Sequence, residues 1–257
     1  MRRATARLGR LSRLGGPGGL AGLAALAVLA VLGLLTAASS HAGREPARIE
    51  FGRSVQGREL IARRLGPADA SRVTLVVGEI HGDEEAGRAV VRTLRREREV
   101  PRGSAVWTVT SVNPDGHEAD TRTNAHGVDL NRNFPFHWSD ASPPGSLEYG
   151  GPRPFSEPES RAFADLVRRL DPDLTVIFHQ PWNQVLGPCS GPARLQRLYA
   201  RISRMELNRC RGEQLPGTAT RWTDARRGTA FVVELGPGRL GSGALRRHAA
   251  ALRAVSR

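Results

Sequence analysis

The segment Val73-Thr-Leu-Val-Val-Gly-Glu-Ile-His-Gly-Asp-Glu84 decides the fold expected for this chain of 257 residues. Residues 73–77 are all apolar or β-branched, which predicts a buried strand. The polar residues that follow, through Glu84, stand where such a strand ends. Residues 85–98 then place apolar side chains at positions 86, 90, 91 and 94, which predicts an amphipathic helix. A buried strand that leads into a helix is the unit from which parallel sheets are built.

The same alternation continues along the chain. It predicts strands at 105–112, 174–178 and 230–235, and helices at 156–170, 193–207 and 243–255. Ser156 and Glu159 have the spacing of a capping box at the start of one of these helices. The fold class predicted is therefore α/β, with a mainly parallel mixed sheet flanked by helices on both faces, preceded by an N-terminal signal or anchor helix. The catalytic domain is expected to span 45–257.

The first 42 residues have the composition of a targeting segment. They contain five arginines and no acid, and residues 14–40 carry no charge. This order predicts an exported protein, either secreted after cleavage of the signal peptide or held at the cell envelope by an uncleaved anchor. Outside the cytoplasm Cys189 and Cys210 can form a disulfide, and the alternative is two free buried thiols. Two cysteines are too few for a disulfide scaffold.

The formal net charge of +13 first suggests a polyanionic partner. Residues 1–42 account for five of these positive charges, and the remaining excess of +8 is spread along the rest of the chain. Nucleic-acid binding needs clustered cations with aromatic residues between them, a pattern that this sequence lacks. We therefore expect no nucleic acid, membrane contact only through the N-terminal segment, and a monomer. An apolar content of 39% excludes a disordered chain.

Residues able to bind a metal follow three of the predicted strands. His81 and Glu84 follow the first, His179 follows the strand at 174–178, and Glu234 lies near the end of the strand at 230–235. Two histidines and a carboxylate, with a further free carboxylate, are what a hydrolytic zinc site requires. Taken singly, His81 also fits a polar loop residue, and Glu84 fits an acid that stabilises a helix N-terminus.

Several further motifs accompany this set. They are Phe51-Gly-Arg-Ser-Val-Gln-Gly-Arg58, Asn113-Pro-Asp-Gly116, Gly127-Val-Asp-Leu-Asn-Arg-Asn-Phe-Pro135 and Phe231-Val-Val-Glu234. Together with the residues above, they make the chain resemble the M14 zinc carboxypeptidases over about residues 48–255. The stretch from Gly127 to Pro135 is the most specific part of this resemblance.

The resemblance implies one Zn²⁺ per chain, with His81, Glu84 and His179 as its ligands. It implies that Glu234 is the general base and acid, and that Arg122 stabilises the oxyanion. It also implies that Asn131 and Arg132 hold the terminal carboxylate of a peptide substrate. A guanidinium can bind a carboxylate through two parallel hydrogen bonds, which agrees with that role for Arg132.

Two departures from the digestive carboxypeptidases are visible. Asp83 stands where those enzymes have an arginine, and no tyrosine lies between Cys210 and Glu234. The chain looks more like the murein peptide amidase branch, which cuts the bond between γ-D-glutamate and meso-diaminopimelate in cell-wall peptides. Asp83 is then either a partner for the second ammonium of diaminopimelate or a residue that binds loop amides. Trp182, three residues after His179, is expected to form part of the wall of the substrate cleft.

Two other functions remain open at this stage. The first is an N-acyl amino acid deacylase of the succinylglutamate desuccinylase and aspartoacylase type, which has the same metal ligands. The second is a catalytically inactive binding module at the envelope. The presence of all three ligands together with Glu234 argues against the inactive module, and the Phe51–Arg58 segment favours the peptidase.

Overall fold

A computed structural model describes residues 47–189, 191–210, 215–226 and 228–257. The predicted signal or anchor helix and its domain, 1–42, lie outside these residues. Glu45–Arg257 form one compact unit. The strands are β1 Arg48–Arg53, β2 Glu59–Leu65, β3 Arg72–Val77, β4 Ser104–Val109, β5 Leu174–His179, β6 Gln184–Gly187, β7 Glu206–Arg209 and β8 Thr229–Glu234. The helices are α1 Ala86–Glu97, α2 Pro114–Ala119, α3 Pro158–Leu170, α4 Arg194–Ser203, α5 Ala219–Asp224 and α6 Ser242–Val255.

The eight strands form one sheet in the order β1-β2-β4-β3-β5-β8-β6-β7. The sheet is mixed, as predicted, but the prediction that it is mainly parallel is wrong. Its centre, β4-β3-β5-β8, is parallel, but β1-β2, β2-β4 and β6-β8 are antiparallel. The physical reason is the length of two connections. Only residues 54–58 join β1 to β2, and only residues 180–183 join β5 to β6, and links this short reverse the chain instead of crossing over.

Helices cover both faces of the sheet, as predicted. On one face α1, α4 and α6 pack against alternate side chains of the central strands, including Val76, Phe178 and Phe231. On the other face α3 and α5 pack against the intervening side chains, including Leu75 and Ile177. Because both faces are covered, the carboxyl edge of the parallel strands is the place where the sheet opens to a ligand.

Three local predictions differ from the structure. The helix expected at 193–207 ends at Ser203, because Arg204 takes a left-handed conformation and the chain then forms β7. The capping box is wrong. Glu157 is the N-cap without a side-chain bond, Ser156 Oγ donates to Glu157, and Glu159 accepts from the backbone of Val55. The richness of segment 113–155 in proline, glycine and asparagine predicts a long loop, but this segment contains α2 and a short 3-10 helix.

Cys189 and Cys210 form a disulfide, with their Cα atoms 4.5 Å apart. The bond joins the segment after β6 to the residue after β7, so it links the carboxyl ends of two neighbouring strands. Among the described residues, no helix combines the length and the apolar composition that crossing a bilayer requires.

Candidate metal centre

Three adjacent strands bring the candidate site together at their carboxyl ends. β3 leads into the loop that carries His81 and Glu84, and β5 ends at His179. β8 ends at Glu234, which lies opposite His179 in the strand pairing. The ends of the buried parallel strands therefore bring these side chains to one edge of the sheet.

Nitrogen and oxygen atoms of the expected ligands converge on one point. The two Nδ1 atoms of His81 and His179 lie 3.2 Å apart. The carboxylate of Glu84 places Oε1 2.8 Å from Nδ1 of His81 and Oε2 2.8 Å from Nδ1 of His179. All three side chains are buried, and one ligand atom from each lies within 4.8 Å of the others. Two imidazole nitrogens facing one carboxylate form the donor set that Zn²⁺ binds.

Asp129 orients the first histidine, a role that the sequence pattern did not predict. Nε2 of His81 lies 3.0 Å from Oδ1 of the fully buried Asp129. A proton on Nε2 then donates to the carboxylate and leaves the lone pair of Nδ1 free for a metal. Asp129 lies within the Gly127–Pro135 motif, and this position was the signal that could have indicated a functional role for it. Its partner is 48 positions away and no local pattern reveals it.

Arg122 is held so that one end of its guanidinium faces the ligands. Its Nε and Nη2 atoms donate to Oδ2 of Asp129 at 3.1 and 2.8 Å. Its Nη1 atom lies 3.1 Å from Nδ1 of His81 and 3.4 Å from Oε1 of Glu84. A fixed cation therefore borders the place where a metal and a substrate oxygen would lie.

The electrostatics of the centre follow from burial and from these contacts. Burial alone would lower the pKa of His81, but Asp129 and Glu84 outweigh it and raise that pKa to about 9. Burial would raise the pKa of Glu84, yet His179 and His81 hold it well below its usual range. The pKa of His179 is lowered, chiefly by burial. The carboxylate is thus ionised, as a metal ligand must be.

Glu234 differs from the other acid of the site. It is buried, and its Oε2 atom has no hydrogen-bond partner within the described part of the chain. Burial first, and then the charge of Glu84, raises the pKa of Glu234 to about 8. A carboxyl group with this pKa and a free oxygen can exchange a proton near neutral pH.

The two residues expected to hold a carboxylate lie beside the metal centre. Asn131 and Arg132 belong to the 3-10 helix Leu130–Arg132 and are both buried. The side-chain oxygen of Asn131 accepts from the backbone N–H of Ala219 at the start of α5. Nη2 of Arg132 donates to Oε1 of the exposed Glu148 at 2.7 Å. A carboxylate therefore already occupies the guanidinium that was expected to bind one.

A cavity of about 740 Å³ opens at this edge of the sheet. Eight of the nine residues singled out from the sequence line it, namely His81, Glu84, Arg122, Asn131, Arg132, His179, Trp182 and Glu234. Trp182 is 59% exposed and lies at its rim. Asp83 is exposed and is not among the lining residues. Its role as an ammonium partner stays a prediction.

The zinc carboxypeptidase family model matches residues 39–192. The chain belongs to the M14 zinc carboxypeptidase family. This membership, with the ligand set above, makes the protein a hydrolytic zinc metallopeptidase. Murein peptide amidase A of Escherichia coli K12 is 31% identical over 196 residues, which cover 69% of this chain and 76% of that protein. Murein peptide amidase A of Vibrio campbellii is 29% identical and covers 73% of this chain and 78% of its own.

Solved structures show the same fold. The crystal structure of a murein-tripeptide amidase from Escherichia coli O157 aligns with a TM-score of 0.63 at 28% identity, covering 85% of this chain and 95% of that one. Carboxypeptidase A from Helicoverpa armigera aligns with a TM-score of 0.68 at 20% identity, covering 81% of this chain and 67% of that one. The second likeness concerns the fold alone.

Proposed function

We propose that this peptidase hydrolyses short cell-wall peptides at the amide bond between γ-D-glutamate and meso-diaminopimelate. The observation that carries the proposal is the convergence of His81, Glu84 and His179 beside Glu234, in a cavity whose wall presents Arg132. The similarity to murein peptide amidases of two genera supports this choice of substrate.

The metal centre and Glu234 perform the chemistry in this proposal. His81, Glu84 and His179 are the residues that would hold the ion, through their imidazole nitrogens and a carboxylate oxygen. When bound, Zn²⁺ supplies Lewis acidity, which lowers the pKa of water and polarises the carbonyl of the scissile amide. Glu234 accepts a proton from the attacking water through its unpartnered Oε2 atom and then delivers it to the leaving amine.

The remaining cavity residues position the substrate. Asp129 anchors two nitrogens of Arg122, so Nη1 is the donor directed at the oxyanion. Asn131 and Arg132 bind the carboxylate of the terminal residue, with Arg132 exchanging Glu148 for the substrate. Trp182 at the rim covers the peptide, since an apolar wall with a few polar anchors is usual for such sites.

A panel of three substrates tests this proposal. We expect hydrolysis of a γ-D-glutamyl-meso-diaminopimelate tripeptide, and much slower hydrolysis of a peptide ending in arginine or of an N-acyl amino acid. The matched control is the tripeptide with lysine in place of diaminopimelate, which lacks only the second carboxylate. Activity confined to the N-acyl amino acid would replace the proposal by a deacylase, while leaving the metal centre unchanged.

We also propose that the protein works outside the cytoplasm. The arginine-rich start and the uncharged residues 14–40 support export, and the Cys189–Cys210 disulfide suits an oxidising compartment. Fractionation of cells that express the full chain, with N-terminal sequencing of the product, tests this. A full-length chain confined to the cytoplasm with free thiols would contradict it.

A further inference from the structure

One face of the domain has a charge pattern that the catalytic site does not use. α6 packs against both α1 and α4, and the three helices cover the same face of the sheet. We call this covering the helix layer. α4 and α6 contain no acidic residue, although both are rich in arginine.

The arginines of α4 form a ridge. Arg194, Arg197 and Arg201 follow one another at intervals of three and four residues, which places them on one side of α4, and Arg204 is the residue directly after the helix. All four are exposed. Within the part of the chain that the structure describes, none of them has an ion pair or a side-chain hydrogen bond.

The neighbouring helices extend the ridge into a surface. Arg92 and Arg96 of α1 and Arg246 of α6 are also exposed. In the described part of the chain, Arg253 of α6 pairs with Glu97 and, at 3.8 Å, with Glu99, and Arg88 of α1 pairs with Glu79 at 3.9 Å. Cations therefore outnumber acids across the whole layer.

A general preference for arginine does not explain this pattern. α3, on the opposite face, interleaves its arginines with acids, and Arg168 pairs with Asp165 at 2.6 Å. Like charges three or four residues apart destabilise a helix by roughly 0.2–0.5 kcal/mol for each pair. The ridge on α4 thus carries a cost that an anionic partner would remove.

We propose that the helix layer docks on the phosphate headgroups of an anionic lipid bilayer. Guanidinium groups bind phosphate through paired hydrogen bonds. Three adjacent helices form a broad surface, which suits a partner that is itself a broad surface, such as a bilayer. The layer exposes no aromatic residue on which nucleic-acid bases could stack. The uncharged residues 14–40, which precede the domain, have the composition of a segment that enters a bilayer.

Sedimentation with lipid vesicles tests the proposal on a chain of residues 45–257. Both hydrophobic clusters lie within 49–255, so this chain has a complete core of its own. We expect binding to phosphatidylglycerol vesicles that weakens as salt rises, and little binding to phosphatidylcholine vesicles. The variant R194Q/R197Q/R201Q/R204Q should bind on the order of 1,000-fold more weakly, since each arginine at such a surface contributes about 1 kcal/mol.

The matched control removes four exposed arginines that lie outside the helix layer, two in β1, one in the segment before α3 and one in α3. The variant R48Q/R53Q/R153Q/R161Q has the same net charge as the α4 variant and should bind vesicles nearly as well as the natural sequence. Both variants should keep their hydrolytic activity and circular dichroism. An equal loss of vesicle binding in both variants would overturn the proposal. It would also be overturned if inorganic polyphosphate bound the layer while the vesicles did not.

Discussion

Glu234 and Asp129 are carboxylates in one site with opposite electrostatic settings. Burial raises the pKa of Glu234 to about 8, and no cation touches its free oxygen among the described residues. Burial acts in the same direction on Asp129, but His81 and Arg122 hold the pKa of Asp129 far below its usual range. The first carboxyl is thus able to take and return a proton, while the second stays ionised as a fixed orienting group.

The substitution Glu234→Gln tests the first of these roles. Glutamine keeps the size of the side chain and cannot accept a proton, so we expect kcat to fall by roughly 10²–10⁴-fold. Zinc content, measured by elemental analysis, should stay at one per chain because Glu234 is not a proposed ligand. Full activity in this variant would disprove the assignment of the general base.

The substitution Asp129→Asn tests the second role. It removes the charge that fixes His81, and we expect zinc affinity to fall by about 10–100-fold in competition with a chelator. Glu159→Gln is the control, because Glu159 is also fully buried but bonds to Val55 and Asn124 instead of the metal ligands. Similar zinc affinities for the two variants would show that Asp129 has no special link to the metal.

At the scale of the element, α1 packs unusually close to the segments that carry the ligands. A Cβ atom at Gly87 would lie 2.1 Å from the carbonyl oxygen of Gly78 and 2.5 Å from Cβ of Phe178. Gly78 precedes the loop of His81, and Phe178 precedes His179. Because Gly87 has no side chain, α1 can pack against both segments that carry the candidate metal ligands.

We expect Gly87→Ala to separate α1 from the sheet and to lower the free energy of unfolding by about 1–3 kcal/mol. Denaturant titration with zinc present measures this loss. Gly243→Ala in α6 is the control, since among the described residues its Cβ would meet only Arg247 Nη1, at 3.6 Å. Alanine favours a helix over glycine, so this control should leave stability unchanged or raise it. Equal stability of the two variants would contradict the packing argument.

The elements themselves were largely predictable from the sequence. Runs of β-branched residues located β3, β5 and β8, and apolar periodicity located α1 and α6, because burial imposes those patterns directly. The end of α4 was not predictable in this way. The apolar pattern continues through Leu207, but Arg204 turns the backbone into the left-handed region and releases the chain to pair as β7.

At the scale of the whole molecule, α4 and α6 are joined by a buried polar contact. The hydroxyl of Tyr199 lies 2.8 Å from Nδ1 of His248. Burial first, and then the charge of Arg247, lowers the pKa of His248 from 6.5 to about 4. The folded protein therefore holds this histidine neutral, and protonating it favours the unfolded chain.

This contact predicts a pH dependence of stability. Because the folded pKa lies below the unfolded one, the contribution of His248 is complete above pH 6.5 and is lost as pH falls toward 4. Between pH 7.5 and 5 we expect the natural sequence to lose about 2 kcal/mol more than His248→Gln, measured by urea unfolding with excess zinc. The same loss in both proteins would contradict the prediction.

The site was predictable where it follows strand ends and unpredictable where it depends on distant contacts. His81, Glu84, His179 and Glu234 stand at the ends of strands whose apolar pattern is plain. The contacts of Asp129 with His81 and of Glu148 with Arg132 cross the chain between loops. Such contacts depend on how the loops pack, which hydrophobic periodicity does not record.

The contact between Arg132 and Glu148 changes what a substrate carboxylate must do on arrival. The substrate carboxylate binds by exchange, because it must displace the carboxylate of Glu148 from the guanidinium of Arg132. The net charge beside Arg132 is the same before and after, so Coulomb attraction contributes little to the difference in free energy. Selection among substrates at Arg132 then depends on the shape of the substrate. When the product leaves, the carboxylate of Glu148 can take its place on the guanidinium.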